Sequence, residues 1–95
     1  MKKIKVNKQI YKINMISNSA IMDLDGMTDF NSNTITINKA LVKSQVETTI
    51  AHELLHVFIG QSGLTEVLKE QEELVVRTME DVFYSFLKDN TNFYV

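Results

Sequence analysis

His52 and His56 are the only histidines in a chain of 95 residues, and they stand four apart in the stretch TTIAHELLHVFIG, with Glu53 directly after the first. Two histidines scattered over a chain this long fall four apart roughly one time in fifty, and a glutamate behind the first is rarer again. On a helix, residues four apart sit one turn above each other on the same face, so both imidazoles can reach one ion. Two ligands do not complete a zinc site, since catalytic zinc takes three protein ligands and a water. Glu53, one residue round from His52, is placed to take a proton from that water rather than to bind the ion. The chemistry this spacing points to is metal-assisted hydrolysis with a carboxylate base.

The chain contains no cysteine. A thiolate site and a disulfide framework are therefore both excluded, and the third ligand has to be a carboxylate. The segment after the histidines offers Glu66, Glu70, Glu72, Glu73 and Glu80. Spacing leaves the choice open: Glu72 lies nearest the centre of an apolar stripe, whereas Glu73 lies toward its border beside Val76 and Glu80. A carboxylate in such a stripe needs a partner, and a metal is a sufficient one. The plainer account is a pair of hydrogen-bonded histidines on a buried helix with Glu53 in solvent. The uncharged residues Ala51, Leu54, Leu55 and Val57 around the pair, together with the acidic segment that follows, favour the metal.

These residues need elements to hold them. SQVE, with Ser44 as cap and Glu47 three residues on, reads as a capping box that opens a helix, and Gly60 suits its end. At 100° per residue Val46, Ile50, Leu54 and Val57 fall on one side, and the histidines fall far from them, beside Leu55 and Ile59. A helix apolar on two faces is buried between layers, here a sheet and a second helix. The second helix is read over TEVLKEQEELVVRTMEDVFYSFLKDN, with Val75, Val76, Met79, Val82, Phe83, Phe86 and Leu87 as core and Asn90 at its end. Upstream, Ile4 and Val6, then Tyr11, Ile13 and Met15, alternate with polar residues on either side of NK, the pattern of a hairpin. GMTDFNSNTITIN places the turn-prone NSN before a β-branched run and reads as a second hairpin. Residues 16–25 show no clear period and are expected to be loop or a short helical turn.

The size fits one small domain with one core, residues 1–95, of α+β class. With 44% hydrophobic and 23% charged residues, no proline and three glycines, the composition is that of a folded protein rather than a disordered one. No segment approaches a transmembrane helix in length, and the N-terminus lacks the apolar run of a signal peptide, so a cytoplasmic protein without membrane partners is expected. The net charge of −2 conceals an asymmetry, because Lys2, Lys3, Lys5, Lys8 and Lys12 all precede the first acidic residue, Asp23. They read as a solvated strand face; no nucleic-acid motif accompanies them, and nucleic acid is not expected as a partner.

Taken in order, DGMTDFNSNTITIN, TTIAHELLHVF and EELVVRTMEDVFYSFLKDN resemble the small HExxH proteins of bacteriophages and prophages, related to zincin metallopeptidases of the ImmA/IrrE type. The resemblance spans roughly Asp25 to Asn90. It implies a minimal zincin-like domain in which a twisted sheet of hairpins packs on the HExxH helix and a C-terminal helix. Its activity would be zinc-dependent hydrolysis of a peptide bond in a protein or peptide substrate within the host cytoplasm. It implies Zn2+ held by His52, His56 and Glu73, the last from alignment backward from FLKDN with Glu72 as the alternative, and Glu53 as catalytic base. The chain departs from the family at Glu80, seven residues after the ligand, where a small residue is common. The resemblance also implies that the edge strand before the active-site helix, Thr34 to Asn38, receives the substrate backbone by strand addition. Tyr84, Tyr94 and Arg77 are the candidates by type for stabilising an oxyanion. The rival expectation is a non-catalytic, zinc-stabilised phage protein that binds and modulates a host protein.

Overall fold

Strand β1 (Lys2–Val6) and strand β2 (Gln9–Ile16) form the expected hairpin, with Val6 opposite Gln9. Asn7 and Lys8 both take left-handed φ, 50° and 70°. Those values at both turn positions match the twist of a two-residue hairpin loop. The structure, a computed structural model, describes residues 2–90. The second hairpin is also present, as β3 (Gly26–Asp29) against β4 (Thr34–Asn38).

The two hairpins do not lie side by side in chain order. β4 pairs in parallel with β2, giving one four-stranded sheet ordered β1-β2-β4-β3. β4 is thus an interior strand, bonded to β2 on one side and to β3 on the other. This overturns the expectation that Thr34 to Asn38 form a free edge, because their backbone groups are already used by two neighbours. The edge strand on this side is β3.

Residues 17–25 between β2 and β3 wind through turns. Ile21, 1% exposed, anchors the segment, and Asn38 ties it to the sheet by donating Nδ2–H to the Leu24 carbonyl at 3.1 Å. The Asn38 side chain also accepts from the Ala40 amide at 2.9 Å, turning the chain out of β4 and toward the first long helix.

That helix, α1, runs Lys43–Gln61. The expected capping box is not made: Val42 occupies the cap position without a side-chain hydrogen bond, and Glu47 instead accepts from the Tyr84 hydroxyl at 3.1 Å. Its end also lies later than Gly60. Gly63, at φ 74°, takes the left-handed position; its amide donates to the Gly60 carbonyl, and that of Leu64 donates to the Ile59 carbonyl. These are the two bonds of a Schellman cap.

The two apolar faces of α1 are occupied as the spacing implies. Leu54 and Val57 pack with Tyr11, Ile13, Ile35 and Ile37 of the sheet, whereas Leu55 and Ile59 pack with Val76 of the last helix. Ile35 and Ile37 are fully buried, each worth about 1.5–3 kcal/mol of transfer free energy. Gln61 closes the sheet side, donating to the Tyr11 hydroxyl oxygen and the Val6 carbonyl.

The expected single C-terminal helix is divided. A short helix α2 (Thr65–Leu68) and a 3-10 turn (Lys69–Gln71) precede α3 (Glu72–Asp89), and Lys69 breaks the run with φ 50°. Met79 and Val82, expected in the core, are 49% and 75% exposed, and Phe86 is 45% exposed. The reason lies in how α3 is turned about its axis. At about 100° per residue, Glu72, Val76, Glu80 and Phe83 share one face, and Met79 and Val82 fall to its side. The face with the carboxylates is the one directed at α1. Among the described residues no helix is long and apolar enough to cross a membrane.

Candidate metal centre

α1 and α3 run antiparallel across the site, so His52 meets the middle of α3 and His56 its first turn. The two imidazoles lie edge to face, with centroids 5.0 Å apart. Glu73 reaches between them: its Oε1 lies 2.9 Å from His56 Nε2 and 3.3 Å from His52 Nε2. The ligand atoms of His52, His56 and Glu73 all fall within 4.8 Å of one another. Donors around a tetrahedral zinc ion stand about 3.3 Å apart, so the three atoms converge on the right scale for one.

The remaining atoms of the cluster are also engaged. His52 Nδ1–H donates to Glu80 Oε1 at 2.5 Å, and His56 Nδ1–H donates to Glu72 Oε2 at 2.6 Å. Arg77, one turn after Glu73, donates Nε–H to Glu73 Oε2 at 2.9 Å, leaving Oε1 for the histidines. The donor set of two imidazole nitrogens and one carboxylate oxygen suits zinc, and every one of those side chains has a partner that fixes its orientation.

Charge follows this geometry. Burial is the largest single influence on His56 and lowers its pKa, but hydrogen bonds to Glu72 and Glu73 and the charge of Glu53 together outweigh it, and the net shift is upward from 6.5. For Glu73 burial is again the largest single influence and raises the pKa. Arg77, His52 and His56 overcome it and hold the carboxyl below its ordinary 4.5. In the metal-free protein both shifts favour the ion pair of imidazolium and carboxylate, with a proton on His56 Nε2. A metal at Nε2 would take the place of that proton.

Glu53 is buried, 7% exposed, where α1 meets β3, and its Oε1 accepts from the Thr28 hydroxyl at 2.7 Å. With His52, Glu73 and Arg77 it lines an open cleft of about 650 Å³, whose opposite wall includes Asp25 and Gly26 at the start of β3. Gly26 is required there by close approach: a Cβ would stand 2.7 Å from Thr49 Cγ2 of α1.

The structure thus brings together His52, His56 and Glu73, puts Glu53 in the same cleft as His52 and Glu73, and gives the alternative third ligand, Glu72, a different atom to serve. Glu66 and Glu70 are exposed and outside the group. Of the candidates by type for an oxyanion, Arg77 lines the cleft, Tyr84 is bonded to Glu47, and Tyr94 lies outside the described residues. The hydrogen bond from Tyr84 to Glu47, then burial, raises the pKa of its hydroxyl. Sequence reasoning missed Thr28, and missed Glu72 and Glu80 as partners of the histidines. A signal for the latter existed, since Glu72, Val76 and Glu80 stand at successive intervals of four on one helical face. For Thr28 no local signal exists, because its partner is 25 residues away. Comparison of the chain with protein-family models, curated proteins and solved structures finds no significant match.

Proposed function

We propose that this protein is a zinc-dependent peptidase of the HExxH kind, built on a minimal zincin-like frame and of phage or prophage origin. One observation carries the reading: His52 Nε2, His56 Nε2 and Glu73 Oε1 converge beside a cleft that Glu53 also lines. Zinc held by these three residues would supply Lewis acidity, polarising the scissile carbonyl and making water a competent nucleophile near neutral pH. Glu53 accepts the proton given up by the attacking water and delivers it to the leaving amine, so that the carboxylate is regenerated at each turnover. Thr28 holds one Glu53 oxygen and leaves the other for this transfer. The unpaired edge of β3 suits an extended peptide, whose backbone would add as a further antiparallel or parallel strand along Gly26 to Asp29. The substrate is a protein or peptide of the host cytoplasm.

A second reading, a zinc-stabilised protein that acts by binding a host factor, draws on the exposed Met79 and Val82 on the outer side of α3. Glu53→Gln separates the two. The zinc-loaded protein is incubated with a library of peptides from digested bacterial proteins, and new termini are read by mass spectrometry. A peptidase yields zinc-dependent cleavage that falls at least about a hundredfold in Glu53→Gln, the scale of losing a general base, while zinc stays bound. No zinc-dependent cleavage, or cleavage unchanged in that variant, rejects the peptidase.

A further inference from the structure

Each histidine of the site has two ring nitrogens, and the one left to bind a metal is decided by the hydrogen bond the other makes. We propose that Glu80 and Glu72 are the positioning residues that make this decision, one for each ring, an inference that rests on the zinc reading above. Glu80 accepts from Nδ1 of His52 and Glu72 from Nδ1 of His56. Both bonds fix the proton on Nδ1 and turn Nε2 toward Glu73. Among the described residues, the hydrogen bond of each carboxylate goes to its ring.

The arrangement uses a short length of chain. α3 alone supplies the third ligand and both outer carboxylates, with Glu72 and Glu80 two turns apart on the face that meets α1. The antiparallel course of the helices matches Glu80 to His52 and Glu72 to His56. The side chains are largely sheltered: both histidines are 19% exposed, Glu72 17% and Glu80 28%. In such surroundings a carboxylate on the far nitrogen makes the imidazole a stronger donor to a metal and holds its plane. A small side chain in place of Glu80 would leave the His52 ring without this contact.

Two ion pairs that merely clamp α1 to α3 would give the same contacts, so the test needs a readout that clamping does not move. Zinc affinity is measured by competition with a chromophoric chelator for the wild type, Glu72→Gln, Glu80→Gln, Glu80→Ala and Glu73→Ala. In parallel, ring nitrogen shifts of zinc-loaded, 15N-histidine-labelled protein report the tautomer of each ring. The expected result is a loss of about 10–100-fold in affinity for each outer variant. Glu80→Gln, which keeps a neutral acceptor, should lose less than Glu80→Ala. The Nδ1–H resonance of His52 should shift in the Glu80 variants alone, and that of His56 in Glu72→Gln alone.

Outer variants that fold and bind zinc as tightly as wild type, or whose ring signals are unchanged, overturn the positioning role while leaving the metal site standing through the loss seen in Glu73→Ala. Equal losses in Glu80→Gln and Glu80→Ala without a ring-specific shift likewise overturn it in favour of a clamp. A wild type that binds no zinc removes the zinc reading itself, and this inference with it.

Discussion

Thr28 and Glu53 are joined across the interface of sheet and helix by a 2.7 Å hydrogen bond, so that the edge strand and the candidate base are one mechanical unit. Glu53 is buried, and an acceptor oxygen stripped of its donor in such a place costs about 1–3 kcal/mol. Thr28→Val keeps shape and removes the hydroxyl. Urea denaturation should show a loss of that size, and Thr28→Ser should recover most of it. A Thr28→Val protein as stable as wild type would mean that Glu53 draws nothing from this contact.

Zinc should raise thermal stability, because it binds the folded arrangement of ligands and not the open chain. At a free concentration one hundred times its Kd a ligand adds about 2.7 kcal/mol, which for a domain of this size moves the Tm by roughly 10–20 °C. Calorimetry with added zinc and then excess chelator should show the rise and its reversal. Glu73→Ala should abolish most of the rise, and Glu72→Ala less.

The metal-free and loaded proteins should respond to pH in opposite senses. The His56 pKa is raised on folding, so in chelator its contribution to stability is complete below 6.5 and is lost as the pH climbs through the higher folded value. The Glu73 pKa is depressed, so its contribution holds above 4.5 and is lost as the pH falls through the lower folded value. From these two groups, metal-free stability is favoured between those limits and declines above them. Zinc requires neutral imidazoles, so its stabilising increment should grow over the same rise in pH. Tm profiles from pH 5 to 8 (roughly the range in which histidine titrates), with zinc and with chelator, should diverge; parallel profiles would show that His56 does not exchange its proton for metal.

Gly26→Ala should loosen the wall of the cleft. The added Cβ meets Thr49 Cγ2 at 2.7 Å and the Thr36 carbonyl oxygen at 3.2 Å, and a β-branched threonine has little rotamer freedom on a helix. A cost of about 1–3 kcal/mol is expected, with partial recovery on adding Thr49→Ser, which removes the methyl. Denaturation of the two single variants and the double variant measures both.

The parts legible in the sequence were those whose signal is local. The hairpin turn at Asn7 and Lys8, the β-branched run at Thr34 to Ile37 and the two apolar faces of α1 are each written within a few residues. So is the His52 and His56 pair. What escaped depends on residues far apart in the chain. The parallel pairing of β2 with β4 leaves no trace in either strand's alternation, and it alone turns Thr34 to Asn38 from an edge into an interior strand. Lys69 breaks the second helix inside a run rich in good helix formers, where propensity alone favours continuing it. Periodicity located the apolar stripe of α3 but not its rotation, which packs Val76 and Phe83 on α1 and brings Glu72, Glu73 and Glu80 to the histidines. Met79 and Val82 are exposed as a result.

The lysines of β1 lie outside the candidate metal centre, and their consequence lies in how the protein meets copies of itself. β1 ends the sheet and pairs with β2 alone, so its outer backbone groups form a template on which another strand could grow into a fibril. Lys2, Lys3 and Lys5 are exposed along that five-residue edge. A second molecule approaching in register would bring like charges together at each of these positions, and β3, at the opposite end of the sheet, is only four residues long. Lysines spaced along one edge thus disfavour strand addition there by charge, while the other edge limits it by length.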